Sequence, residues 1–292
     1  MRARDRSVNA VPVVVGVDGS VPSLAAVDLA AQEAVLRRCG LRLVHALASP
    51  YPQFPAEGWL RPHAENILGE AWRHAHEMAP DLPIDGEIIT GQAGTVLRDC
   101  SRTARLVVVG DRGASGFGAL LVGSVAVQMA AHAACPILVA RGEADRESPV
   151  LLGVDGSSAN DPAVGFAFEE AALRGVPLVA EHAWAHPVST GPGDMLPLVY
   201  DVSELGHDEE RLLSEALAGW QAKYPDVVVE RKLVRGGARP ALIEATRHAQ
   251  LVVVGSRGRG GFTGLLLGSV SQAVLHHADC PVAIVPHPQP AN

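Results

Sequence analysis

Two stretches of this chain hold residues whose types and spacing point to chemistry. GDRGASGFGALLVGS runs over positions 110–124, and GSRGRGGFTGLLLGS runs over positions 255–269. In the first, two residues separate Gly110 from Gly113, and nine more separate Gly113 from Gly123 and Ser124. Gly255, Gly258, Gly268 and Ser269 repeat that spacing. Each stretch follows an apolar LVVV run and precedes a helical pattern, giving strand, glycine loop and helix. Glycines let backbone amides approach a ligand, and a helix N-terminus favours phosphate. Ser124 and Ser269 are expected to cap those helices and to present hydroxyl and amide to phosphate. The chemistry implied is nucleotide binding.

Asp18 and Asp155 are the second duplicated feature. Each ends an apolar strand pattern within GVDGS. A carboxylate there accepts hydrogen bonds from ribose hydroxyls or a base, although Asp-Gly is also a common turn former. Its recurrence beside a recurring glycine loop favours the ligand role. The loops are not Walker A motifs, because neither contains lysine. No dinucleotide fingerprint follows the first strand, where DGS stands. No HExxH and no His/Cys spacing for a metal occurs, so catalytic and metal-ligating residues stay unassigned.

The elements that must position these residues come twice. The first half reads as strands near 11–17, 41–46, 84–90, 105–109 and 137–140. Helices near 23–38, 64–78, 95–103 and 124–133 alternate with them, with Ser23 as the first cap. RGEADRES at 141–148 reads as a polar linker. The same programme then restarts, with strands near 178–183, 227–234, 251–254 and 282–285 and helices near 204–223, 240–248 and 269–277. Positions 106–125 and 251–270 share fourteen of twenty residues. The aspartates lie 137 apart and the loops 145 apart, so eight extra residues fall between them in the second half. The loop and helix after the second strand are the expected place. This is an α/β chain of two tandem domains, 1–144 and 149–292, rather than one merged fold.

The 292 residues are 48% hydrophobic with net charge −8, enough for two domain cores and without a basic surface for nucleic acid. No apolar run is long enough to span a membrane, and no signal-peptide pattern opens the chain. Four cysteines without a CxxC read as reduced thiols of a cytoplasmic protein. Cys135 and Cys280, each before proline, read as core packing. Aromatic loops at 51–59 and 184–200 flank the expected sites.

GVDGS, the two glycine loops and the Cys-Pro pairs together resemble the universal stress protein family in its tandem form, close to two-domain mycobacterial members. The resemblance spans nearly the whole chain. It implies two Rossmann-like domains, each with a five-stranded parallel sheet of order 3-2-1-4-5. It also implies ATP in each domain, two per chain; Mg²⁺ is a candidate companion ion for Asp18 and Asp155, although ribose binding accounts for the same residues. Asp18 and Asp155 then occupy adenosine-contacting positions. Gly110, Gly113, Gly123 and Ser124, with Gly255, Gly258, Gly268 and Ser269, occupy phosphate and ribose positions. His45 and His182 fall where family members contact adenine through the backbone. Ser256 follows the family pattern, but Asp111 does not, which sets the two sites apart. The expected role is regulation of growth or stress adaptation through nucleotide occupancy, acting as a homodimer and through a protein partner. The alternatives are a slow Mg²⁺-dependent ATPase and a nucleotide-free dimerisation module. The apolar last strands, edges in this order, are expected to meet across the two domains.

Overall fold

The computed structural model describes residues 11–48, 60–113, 122–142, 145–184, 202–259 and 267–287, with side chains from 205 in the fifth stretch. The first half contains strands β1 (Val13–Gly16), β2 (Leu41–Leu47), β3 (Ile84–Thr90), β4 (Leu106–Gly110) and β5 (Ile137–Ala140). Helices α1 (Val21–Leu36), α2 (Arg61–Met78), α3 (Ala93–Ser101) and α4 (Ser124–His132) alternate with them. The second half repeats the set as β6 (Val150–Gly153), α5 (Asp161–Arg174), β7 (Leu178–Trp184), α6 (Val202–Lys223) and β8 (Val229–Arg235). It continues through α7 (Ala238–Ala245), β9 (Leu251–Gly255), α8 (Ser269–His277) and β10 (Val282–Val285).

Each half has the strand order 3-2-1-4-5, and all pairings within a half are parallel. The two sheets are not separate, however. Strands β5 and β10 pair antiparallel, with Val282 opposite Val139 and Ile284 opposite Ile137, so the ten strands form one sheet. The repeat alone argued against a merged fold; the short apolar edges explain the merger, because pairing satisfies both at once. The buried strands read as near-continuous Val, Ile and Leu runs because both faces are covered. On one face, Val13, Val15 and Leu138 pack with Val150, Leu152 and Ala283 under α1, α2, α5 and α6. On the other, Val14, Val107, Val139, Val252 and Val282 pack under α3, α4, α7 and α8. Both apolar layers run without a break across the junction between halves.

Helix α6 has 22 residues against 18 in α2, which places half of the eight extra residues in the helix and leaves the rest to the preceding loop. The segment joining the halves is held by Gln250, whose amide nitrogen donates to the carbonyls of Arg146 and Ser148 at 2.8 and 2.6 Å.

One expected cap moves. Helix α1 is capped by Ser20, not Ser23; its hydroxyl accepts from the Ser23 amide at 3.3 Å. Ser23 lies inside the first turn and donates its hydroxyl to the Ser20 carbonyl at 2.9 Å. The helix also ends at Leu36, and Arg38 has left-handed backbone with φ 51°.

Candidate functional site

The site starts at the turn after the first strand of each half. Gly19 and Gly156 have φ of +81° and +71°, a conformation glycine adopts without a Cβ penalty. The turn folds the chain so that one carboxylate oxygen of Asp18 accepts from the Ser20 amide and hydroxyl, at 3.0 and 2.5 Å. Asp155 does the same with Ser157, at 2.8 and 2.7 Å. The other oxygen faces the glycine loop. A Cβ built on Gly113 would lie 2.7 Å from Asp18 Oδ2, and one on Gly258 would lie 2.7 Å from Asp155 Oδ2. In the second half the Arg259 amide also donates to Asp155 Oδ2 at 3.1 Å. The two duplicated motifs, distant in sequence, therefore touch.

Close approach forces glycine at the start of the first loop and favours it at the start of the second. A Cβ on Gly110 would lie 2.7 Å from the Pro22 carbonyl oxygen, and one on Gly255 would lie 3.2 Å from that of Arg257. The loop necks are closed by backbone bonds. Gly123 donates to the Asp111 carbonyl at 2.6 Å, and Gly268 to that of Ser256 at 2.8 Å. Gly123 and Gly268 are the N-caps of α4 and α8, with extended backbone and no side-chain cap. This corrects the expected capping role of Ser124 and Ser269, which are the first helical residues. Their amides belong to the unpaired first turn, where a helix attracts anions.

His45 and His182 stand one strand away and reach back to the turn. Nδ1 of His45 lies 2.8 Å from the Val17 carbonyl, and that of His182 lies 2.7 Å from the Val154 carbonyl. These carbonyls immediately precede the two aspartates. The imidazoles thus brace the turns, and His182 is held in place by Glu209 at 2.8 Å.

In the second half these residues surround a cavity of about 450 Å³ at the carboxyl ends of β6 and β9. Asp155, Gly255, Gly258, Gly268 and Ser269 line one side of it, and Val154, Ala238, Leu242 and Val254 supply apolar wall. His182 does not line it. The volume and the mixture of apolar wall with a few polar groups fit a small-molecule site. It lies where ligands of open α/β sheets bind. Arg257 and Arg259 add positive charge at the rim. Arg112 in the first loop is paired instead with Asp111 at 3.5 Å.

Sequence reasoning missed Asn160, Leu242, Arg259 and Ser271, which also line the cavity. The signal for Asn160 and Ser271 was present in the repeat, where they stand opposite Ser23 and Ala126. Ser271 donates its hydroxyl to the Gly255 carbonyl at 2.5 Å, a bond Ala126 cannot make. Most of the first loop, 114–121, most of the second beyond Arg259, and both aromatic loops apart from Trp184 lie outside the described residues. Among the described residues, no group of three or more His, Cys, Asp or Glu is arranged to hold a metal ion. None of the described helices is long and apolar enough to cross a membrane.

A doubly wound α/β sheet with paired Asp-Gly turns and glycine loops at its carboxyl edge defines the class. The family model for the universal stress protein family matches this chain twice, over residues 11–141 and 148–286. The chain belongs to that family. It is 41% identical over 290 residues to a universal stress protein of Mycolicibacterium smegmatis, covering 94% of this chain and 96% of the relative. A universal stress protein of Mycobacterium tuberculosis is 38% identical over 289 residues, covering 93% and 95%. The crystal structure of a universal stress protein from Archaeoglobus fulgidus shares the fold, with a TM-score of 0.69 at 18% identity and coverage of 94% and 96%.

Proposed function

We propose that this chain binds ATP, one molecule in each half, and that occupancy governs its role in growth or stress adaptation. The observation that carries the reading is the convergence of Asp155, Gly255, Gly258, Gly268 and Ser269 on one cavity with an apolar wall. An adenine ring and ribose need that apolar wall and a carboxylate. A phosphate chain needs bare amides and a helix start. A side chain at Gly113 or Gly258 would press on Asp18 or Asp155, so the glycines let the loop lie close to that carboxylate. Residues 1–144 and 149–292 act in this reading as two nucleotide-binding domains of one cytoplasmic protein. Mg²⁺ accompanies the phosphates. A second copy of the chain and a protein partner read the occupied state.

The test is mass identification and quantitation of nucleotide released from freshly purified protein, followed by titration of stripped protein with ATP. Binding approaching two equivalents supports the reading. No uptake of any nucleotide overturns it and favours a dimerisation module.

A further inference from the structure

Asn160 closes the short 3-10 turn Ser158–Asn160 that leads into α5, and it is 4% exposed. Its Nδ2 donates to the Gly153 carbonyl at 3.4 Å, which fixes the amide orientation, since reversal would bring two oxygens together. Oδ1 is then an acceptor, buried, and without a donor among the described residues. A buried acceptor left without a donor is costly, and native structures supply one from protein, water or ligand. Asn160 lines the cavity beside Asp155, Gly255 and Ser271. It also borders a second cavity between α5 and α6, lined by the Ser157 and Ser158 hydroxyls and by the carboxylates of Asp161, Asp208, Glu209 and Glu215. The carboxylates are acceptors, the Ser157 hydroxyl already donates to Asp155, and no described group there donates to Oδ1. Arg211 on that side already donates to Asp208 and Glu215.

The first half has no such atom. Ser23 occupies the equivalent place in the repeat, and its hydroxyl donates to the Ser20 carbonyl at 2.9 Å and accepts from the Asp18 amide at 3.4 Å. Its hydroxyl thus already has a donor and an acceptor partner within the turn, unlike the Asn160 oxygen, which has none among the described residues.

We infer that Asn160 is a specificity-determining residue of the second site, accepting a hydrogen bond from a hydroxyl or amino group of the bound nucleoside. This rests on the nucleotide reading above. Phosphate oxygens at neutral pH offer no hydrogen to Oδ1, so the donor belongs to ribose or base. A site built around such a bond rejects an analogue that lacks the donor, because a buried polar group is then left unpaired. The first site, with Ser23, discriminates less.

The experiment is calorimetric titration of the full chain with ATP, 2′-deoxyATP, 3′-deoxyATP and inosine triphosphate, the last lacking the exocyclic amine. In the unmodified protein, one analogue is expected to bind the second site about tenfold more weakly than ATP while the first site barely distinguishes them. Which analogue does so tells ribose from base. Asn160→Ser, which copies the first half, is expected to weaken ATP at the second site about tenfold and to remove the discrimination. Equal preferences at the two sites of the unmodified chain overturn the proposal whether or not the variant folds. So does a variant that weakens all four nucleotides by one factor, or none. Failure of ATP to bind either site is a different result, which removes the nucleotide reading itself and this proposal with it.

Discussion

The guanidinium of Arg37, the C-cap of α1, donates to the carboxylate of Glu170 on α5, and Arg174 on α5 returns the contact to Glu33 on α1. Arg37 also holds Glu33, and Arg174 holds Glu170 at 3.0 Å. The pairs Glu33/Glu170 and Arg37/Arg174 are each 137 residues apart, the same offset as Asp18 and Asp155. The quartet is therefore a two-fold arrangement across the junction of the halves. Its side chains are 0–10% exposed. Helix α1 leads from the turn after Asp18 to this junction, and α5 leads there from the turn after Asp155.

Four buried charges are costly to desolvate, and removing one partner costs more than the set contributes. Arg37→Met leaves Glu33 and Glu170 to share Arg174 alone and is expected to lower unfolding free energy by about 3 kcal/mol. Replacing all four residues by well-packed apolar ones is expected to cost far less. Urea unfolding of both variants checks this. An Arg37→Met midpoint equal to that of the parent would contradict it.

The quartet also carries a pH dependence. Burial, followed by the neighbouring charge of Glu170, raises the Glu33 carboxyl from 4.5 to about 7 despite the two arginines. The folded protein then holds this proton more tightly than the unfolded chain. The contribution is fully present below about pH 4.5 and is lost as pH rises through about 7. Stability from this group falls with rising pH across that window. In Glu33→Gln that component of the slope should vanish from denaturation curves taken at several pH values. An unchanged slope would show that Glu33 does not titrate there.

Much of this was legible in the sequence, for identifiable reasons. The limits of α8 and of β5 and β10 followed from apolar runs bounded by glycine and proline. The joint role of Asp18 and Asp155 with the glycine loops was legible from two motifs that recur together, but their direct contacts were not. The quartet was not legible, because Glu33 and Arg37 look like an ordinary solvent-facing i,i+4 pair until a second helix covers them. The bracing by His45 and His182 was hidden similarly, since it depends on neighbouring parallel strands. Ser20 and Ser23 both suit an N-cap, and only the Gly19 turn decides between them.

The repeat supplies a stabilising substitution. Arg38 is exposed with φ 51°, and the equivalent residue in the second half is Gly175, with φ 68° as the C-cap of α5. A side chain with left-handed backbone is strained, and glycine relieves it. Arg38→Gly is expected to raise stability by about 0.5–1 kcal/mol, a small upward shift in melting temperature. A lower melting temperature would show that Arg38 makes a compensating contact.

Cys135 and Cys280 stand two residues before the equivalent strands β5 and β10 and are 8% and 0% exposed. Burial pushes both thiols up to about 12, so neither is a thiolate at neutral pH. Iodoacetamide should leave both unmodified in the folded protein over hours and modify both after denaturation, as read by peptide mass mapping. Rapid labelling of either without denaturant would contradict the packing role.

The last expectation concerns turnover. A fast ATPase needs a group free to orient water or hold a metal against the phosphates. Asp155 faces the second glycine loop, and three of its roughly four acceptor positions are used within the protein, leaving one. One oxygen accepts from the Ser157 amide and hydroxyl, and the other accepts from the Arg259 amide. A carboxylate used in this way fixes the loop, and freeing it for chemistry would undo that hold. Phosphate release from the Mg²⁺–ATP complex is therefore expected well below about 1 per second, the lower end of ordinary enzyme rates. Asp155→Ala should lose nucleotide and any slow hydrolysis together, because it unfastens the loop from the turn. Gly258→Glu, which pushes a carboxylate toward both Asp155 and the phosphates, should copurify with less nucleotide. Hydrolysis abolished by Asp155→Ala with ATP affinity retained would instead assign Asp155 a chemical role and make the chain an ATPase.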